Sequence, residues 1–207
     1  MGTSPPNSAS MTVNQAAQQY AQIGELTCQD LDDANQEARQ QELNITDDQK
    51  EGFALTTAQW RPANGTGAYL KATSVNREDC VLEDFQDGYS DKVSSKTKPG
   101  CMGGGTYNPH RKNDSETKLL DPLMRPPMAM NGTVRMKIFH VSNGVPDELP
   151  CGSCRRTICG AEACGIKIEL CNNNNEIVHG KDLCSNGAPK DTTDAGWRAK
   201  GFGPKTC

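Results

Sequence analysis

Alternation of apolar and polar residues predicts two strands in the second half of the chain. Residues 133–141 (Thr-Val-Arg-Met-Lys-Ile-Phe-His-Val) and 166–171 (Ile-Lys-Ile-Glu-Leu-Cys) both alternate, which is typical of strands with one buried face. Between them, the apolar residues of 158–164 have helical spacing, and Gly165 is suited to end a helix. A strand, helix, strand unit of this length predicts two parallel strands that are neighbours or near neighbours.

The first quarter of the chain predicts helices with little apolar surface. Residues 12–43 are polar and rich in glutamine, which is typical of one or two surface helices with thin apolar stripes. Thr46-Asp47-Asp48-Gln49 matches a capping box and predicts a short helix that runs to about Leu55. We therefore expect a small acidic helical segment over residues 1–55, followed by one larger domain over residues 56–207.

Four further elements are expected in that larger domain. Turn residues lead into a strand over 68–75, for which 80–85 is a candidate partner. A helix begins at Asp114 or Ser115, with a proline near its end. The tail from residue 184 predicts a loop with one late helix. The class is therefore α/β.

Composition and charge restrict the possible functions. The chain has 207 residues, which fits one domain of ordinary size. Its hydrophobic content of 34% and mean hydropathy of −0.71 are low for one large core. The net charge of −4 argues against tight nucleic-acid binding through phosphate contacts alone. The charge is segregated, because residues 1–50 are strongly acidic and residues 125–170 are mildly basic.

Cysteine is abundant and unevenly distributed. Six of the ten cysteines lie between residues 151 and 184. An even number would indicate disulfides in a secreted protein, whereas the clustering favours a metal or redox purpose for at least two of them. No basic-then-apolar signal segment and no apolar run of membrane-spanning length is visible, so we expect no membrane interaction.

Two short motifs predict a zinc centre. Pro150-Cys151-Gly152-Ser153-Cys154 places two thiols at the start of a helix, where the helix dipole favours thiolate, and Pro150 suits the first helical position. Asp114-Ser115-Glu116 lies at the start of the preceding helix. If both helix starts meet at the ends of parallel strands, Asp114, Cys151 and Cys154 surround one Zn²⁺, and Glu116 points at its water.

This pair of motifs resembles the signature of the cytidine deaminase-like superfamily, His (or Cys)-x-Glu followed by Pro-Cys-x-x-Cys. Residues 115–120, 154–161 and 166–171 extend the likeness to deaminase domains of bacterial polymorphic toxins. The resemblance covers about residues 60–184. It implies a three-layer α/β/α domain on a mixed sheet that deaminates a nucleobase by hydrolysis, cytosine rather than adenine, with Glu116 as the proton carrier.

The same resemblance implies partners and a location. The substrate would be nucleic acid (DNA or RNA) or a nucleotide, and a bacterial toxin of this kind would be secreted or delivered into the cytoplasm of a target cell. A cognate immunity protein would protect the producer. Arg155 and Arg156 are candidates for binding substrate phosphate.

One position departs from the signature, because Asp114 stands where the family has His or Cys. Aspartate is an acceptable zinc ligand, but a catalytically weakened deaminase would have the same sequence. His110, about one helical turn earlier, is an alternative ligand.

Other functions remain open for the cysteines. Cys151 and Cys154 suit a redox pair at a helix start. Alternatively, four of the six clustered cysteines would close a structural zinc site in a non-catalytic binding module, zinc- or disulfide-stabilised. Cys159 and Cys164 are expected to face the core as small apolar residues, and His140 and His179 to have structural roles.

Overall fold

The computed structural model describes residues 24–42, 53–63, 68–74, 99–102, 114–125, 131–142 and 145–204. Its helices are α1 (Cys28–Glu37), α2 (Ser115–Leu123), α3 (Gly152–Ala163), α4 (Gly180–Leu183) and α5 (Asp194–Arg198). Its strands are β1 (Ala54–Pro62), β2 (Ala68–Thr73), β3 (Gly132–Ser142), β4 (Val145–Asp147), β5 (Ile166–Cys171), β6 (Ile177–His179), β7 (Cys184–Ser185) and β8 (Ala188–Pro189). A π-helical turn covers Ala38–Glu42, and a 3₁₀ turn covers Gly100–Met102.

The main sheet mixes parallel and antiparallel strands. Its order is β2-β1-β3-β5-β6, with β4 paired to β3 beside that path. Strands β3 and β5 are parallel, and the other pairs are antiparallel. The predicted strand, helix, strand unit is thereby confirmed, with its two strands as direct neighbours. Gly165 follows α3 with φ +88°, a conformation that glycine adopts without steric cost. The predicted α/β class with a mixed sheet is confirmed.

The prediction of a helix that runs to Leu55 is wrong at its end, because strand β1 begins at Ala54. Strand β1 is buried on both faces and does not alternate between buried and exposed residues. Its polar residues are satisfied by distant partners: the Thr57 hydroxyl donates to the Leu31 carbonyl at 2.8 Å, and the Gln59 side chain accepts from Leu26 N–H at 2.9 Å. The alternation of apolar and polar residues that predicts a strand with one buried face is therefore not visible in the sequence of β1.

Helices pack on both faces of the main sheet. Val134, Met136 and Ile138 of β3 belong to the main core, together with apolar residues of α2 and α3. On the opposite face Phe139 and Val141 pack with Ala38, Phe53 and Leu55, and α1 lies beside them. The disulfide Cys28–Cys171 joins the start of α1 to the end of β5.

The predicted boundary between residues 55 and 56 falls within β1. The late helix predicted for the tail is α5, whose Trp197 is buried in the main core. Residues 12–23, 46–52 and 80–85, to which helices and a strand were assigned, lie outside the described residues. No helix in the described ranges is both long and apolar enough to cross a membrane.

Arginines and glutamates form a network on the α1 face of the sheet. Arg135 of β3 contacts Glu25 and Glu169, and Arg61 of β1 contacts the same two carboxylates. The hydrogen bond from Arg135 and the charge of Arg61 lower the pKa of Glu25. The network joins the segment before α1 to β1, β3 and β5.

This lowered pKa predicts a pH-dependent contribution to stability. Because the folded pKa of Glu25 lies below its unfolded value, its contribution is present above the unfolded pKa and is lost as the pH falls through the folded pKa. We expect Glu25→Gln to cost about 0.2–1 kcal/mol at pH 7, the usual range for exposed ion pairs. Thermal unfolding from pH 7 to pH 3 checks this. The difference from the parent should vanish at low pH, and a difference that grows there would contradict it. Glu37→Gln, at an exposed glutamate of α1, is the control.

Candidate metal centre

The starts of α2 and α3 present the predicted ligands at one place. Asp114 immediately precedes α2, and its carbonyl accepts the Lys118 N–H at 3.0 Å. Cys151 is the N-cap of α3, in extended conformation, and its sulfur accepts the Cys154 N–H at 3.3 Å. The expectation that Pro150 is the first helical residue is wrong, since the helix begins at Gly152. The sulfur of Cys151 takes the place of the oxygen that usually caps a helix.

Asp114, Cys151 and Cys154 could hold a metal ion. One ligand atom from each lies within 4.8 Å of the other two. The Asp114 Oδ2 atom is 3.7 Å from Cys151 Sγ and 3.2 Å from Cys154 Sγ, and the two sulfurs are 2.9 Å apart. Cys154 is buried, Asp114 is half-buried and Cys151 is exposed. The predicted ligand set is thus brought together.

The donor set fits zinc. Tetrahedral zinc, with bonds of about 2.3 Å to sulfur and 2.0 Å to oxygen, places a carboxylate oxygen about 3.5 Å from each sulfur. The two observed oxygen–sulfur distances, 3.7 and 3.2 Å, lie on either side of that value. The two sulfurs of such a site lie about 3.8 Å apart, so binding requires them to separate from 2.9 Å. Among the described residues the group has three protein ligands, which would leave a fourth position open, as in catalytic zinc sites.

Glu116 lies against this group and is buried. Its carboxyl accepts a hydrogen bond from Ser115 Oγ at 3.0 Å, and Thr56 Oγ1 lies 2.8 Å from the same Ser115 oxygen. Because Ser115 has one hydroxyl proton and gives it to Glu116, Thr56 is the donor in the second bond. Burial, and next the charge of Asp114, raise the pKa of Glu116, while hydrogen bonds from its own backbone N–H and from Ser115 oppose the shift. A carboxyl of raised pKa beside a metal-ligand group is typical of a proton carrier.

The two free thiols differ in acidity. The hydrogen bond between the two thiols lowers the pKa of Cys151. The same bond, followed by burial, raises the pKa of Cys154 well above its usual range. Cys151 is therefore the one that ionises first.

Six other cysteines form disulfides. The pairs are Cys28–Cys171, Cys101–Cys164 and Cys159–Cys184. This excludes a structural zinc site built from four of the clustered cysteines, because only Cys151 and Cys154 of that cluster are free. Cys159 and Cys164 face the main core, as expected of small apolar residues, and both are cross-linked there.

The predicted phosphate-binding arginines differ in their surroundings. The Arg155 guanidinium is buried; it donates to the carbonyls of Pro150 and Thr192 at 2.8 and 3.1 Å and to Asp194 at 2.6 Å. Arg156 is exposed. Arg155 thereby joins the residue before Cys151 to the start of α5. His110, the alternative ligand, lies outside the described residues.

Contacts on both sides brace the segment that leads to Cys151. His140 of β3 lies with Nε2 2.7 Å from the Leu149 carbonyl, so that nitrogen carries the proton. The Asp147 side chain accepts the Leu149 N–H at 2.8 Å and also pairs with Arg198. The structural role expected for His140 is consistent with this contact. His179, at the end of β6, is not a member of the ligand group.

Two positioning residues were missed by sequence reasoning. Ser115 lies inside the Asp-x-Glu motif, where only its capping role was considered. Thr56 carries no local signal, because it lies 59 residues before Ser115 in a segment next to the predicted helix. Comparison with protein-family models, with curated proteins and with solved structures finds no match for this chain.

Proposed function

We propose that this protein is a zinc-dependent deaminase that hydrolyses the amino group from a nucleobase, cytosine rather than adenine. One observation carries the proposal: buried Glu116 lies against a group of one carboxylate and two thiols that fits zinc. The order of elements supports it, because the Asp-x-Glu helix, β3, the Pro-Cys-x-x-Cys helix and β5 occur in that order, with the short strand β4 between β3 and the second helix. Helices on both faces of the mixed sheet agree with a three-layer α/β/α arrangement.

Each residue has a chemical role in this proposal. Asp114, Cys151 and Cys154 would hold the ion, which when bound supplies Lewis acidity for hydrolysis. Glu116 accepts one proton from the attacking water and delivers it to the ring nitrogen; it then takes the second proton, from the hydroxyl added to the ring carbon, and delivers it to the amino group, which leaves as ammonia. Thr56 and Ser115 fix the Glu116 carboxyl by two successive hydrogen bonds. A base in a duplex must be extruded, or presented in a single strand, to reach such a site.

The biological setting in this proposal rests on the resemblance. The substrate is DNA, RNA or a free nucleotide, and Arg156, which is exposed, remains a candidate for phosphate contact. The protein acts as a bacterial toxin in the cytoplasm of a target cell, with an immunity protein as its partner in the producer.

The test is direct. The full chain, loaded with zinc, is incubated with single-stranded DNA, double-stranded DNA and RNA, and the products are sequenced for C-to-U and A-to-I conversion. We expect conversion on at least one substrate and its loss after chelation, with recovery when zinc is returned. Absence of conversion on all three substrates and on free nucleotides would overturn the proposal.

Asp114 allows a second arm in the same assay. Asp114→His introduces a ligand that the deaminase signature normally has at this position. Conversion by both proteins shows that aspartate supports activity. Conversion by the variant alone would instead identify a catalytically weakened deaminase.

A non-catalytic, disulfide-stabilised binding module is the second candidate. Three disulfides favour it, because small domains that depend on cross-links are often binding modules. This candidate gives no role to a buried carboxyl beside two free thiols. It predicts that no variant at Glu116 changes a nucleic acid product, and the same sequencing assay measures this.

A further inference from the structure

Cys151 and Cys154 have a geometry suited to a reversible cross-link. Their sulfurs are 2.9 Å apart, and these two cysteines are the free thiols of the described residues. Three-residue spacing at a helix start places two Cα atoms about 5 Å apart, within the range of about 4.4–6.8 Å that disulfides span. The three disulfides among the described residues have Cα separations of 5.4, 4.9 and 5.3 Å. The spacing of this pair is therefore compatible with a disulfide.

Access differs between the two thiols. Cys151 is exposed, and Cys154 is buried behind it. The Cys154 N–H donates to the Cys151 sulfur, which stabilises negative charge on that atom. A small disulfide in solution can therefore reach Cys151 and not Cys154.

We propose that Cys151 and Cys154 form a thiol–disulfide exchange site for small disulfides, and that closure of this pair excludes the metal ion. The exclusion of the metal ion rests on the proposed function, whereas the thiol–disulfide exchange does not. The Cys151 thiolate bonds to one sulfur of the small disulfide, whose S–S bond breaks and releases the first small thiolate. Cys154 loses its proton to solvent, and its sulfur attacks the Cys151 sulfur and expels the second thiolate. Two cysteines are oxidised by two electrons, and one disulfide is reduced to two thiols, which take up the two protons.

The other disulfides indicate the redox conditions under which this pair of thiols exists. Disulfides form and persist in oxidising surroundings, and the part of the chain that the structure describes contains three. The same surroundings would close Cys151–Cys154 unless a ligand occupied both sulfurs. A zinc ion needs both thiolates, so the site holds either the ion or the cross-link. The enzyme of the proposed function would be inactive when oxidised and restored by a thiol reductant together with zinc.

The experiment uses the full chain, metal-free or loaded with zinc, and oxidised glutathione as the probe. Trypsin releases residues 138–155 as one peptide that contains Cys151 and Cys154 and no other cysteine. After treatment, free thiols are alkylated and the mass of the peptide is measured by mass spectrometry. In metal-free protein we expect the peptide to lose both alkylation sites and two hydrogen atoms, and zinc to protect both sites. Asp114→Asn should keep the closure and lose most of the protection.

Two variants identify the attacking sulfur. Cys154→Ser should trap a mixed disulfide with glutathione at Cys151. Cys151→Ser, which keeps a helix-capping side chain, should trap none at Cys154. Alkylation of both sites in metal-free protein after the oxidant, or a mixed disulfide only at Cys154, overturns the exchange site. Formation of the Cys151–Cys154 disulfide in the zinc-loaded protein would overturn only the exclusion of the metal ion. Neither result depends on deaminase activity.

Discussion

Replacing Glu116 by glutamine is expected to reduce deamination about 10²–10⁴-fold, the usual contribution of a positioned acid–base group. Glutamine has nearly the same shape and can still accept the Ser115 hydrogen bond, but it cannot carry a proton. Zinc binding should be unchanged, because Glu116 is not a member of the ligand group. The fold should be at least as stable, because burial already disfavours the ionised form of Glu116. Conversion rate, zinc content and melting temperature are measured on the same preparation.

Glu162→Gln is the matched control for this substitution. Glu162 lies on α3, and its carboxylate accepts the Ile168 N–H at 2.6 Å, a bond that a glutamine oxygen can also accept. We expect activity within about twofold of the parent, because Glu162 is outside the ligand group. If Glu116→Gln deaminates at the parent rate, Glu116 is not the proton carrier. If both variants lose activity equally, the loss reflects damage to the fold rather than to the chemistry.

The elements that were predictable are those whose pattern is local. Strands β3 and β5 alternate along their own sequence, and α3 lies between a capping residue and a glycine. Strand β1 was not predictable in this way. Its buried polar residues Thr56, Thr57 and Gln59 have partners 59, 26 and 33 residues away, so their burial is decided by tertiary contacts.

The metal-ligand group was predictable for a different reason. Two helix starts that flank one strand must lie near the same end of that strand, and the motif residues stand at those starts. Arg155 and the disulfides were not predictable from spacing. The partners of Arg155 belong to a segment about 40 residues later, and six cysteines allow many pairings. Such pairings depend on tertiary contacts between segments that are distant in sequence, and the local sequence does not predict these contacts.

Removal of the Cys28–Cys171 disulfide is expected to cause the largest loss of stability among the three cross-links. The two cysteines are 143 residues apart, so the cross-link restricts the unfolded chain over most of its length. By chain entropy, Cys28→Ala with Cys171→Ala should lower the free energy of unfolding by about 5 kcal/mol. Apolar packing around this disulfide offsets little of the lost stability, because Cys28, Leu31 and Cys171 form a small cluster apart from the main core. Urea unfolding of the zinc-loaded protein measures the difference.

The pair Cys159–Cys184 provides the matched control, because it closes a loop of 25 residues and lies in the main core. The same entropic argument gives a loss of about 3.5 kcal/mol for Cys159→Ala with Cys184→Ala. The order of the two losses is therefore informative: loop entropy requires the longer loop to cost more, whereas core packing requires the opposite. A larger loss for Cys159–Cys184 would contradict the entropic account and would show that α1 is held to the sheet mainly by its hydrogen bonds and ion pairs.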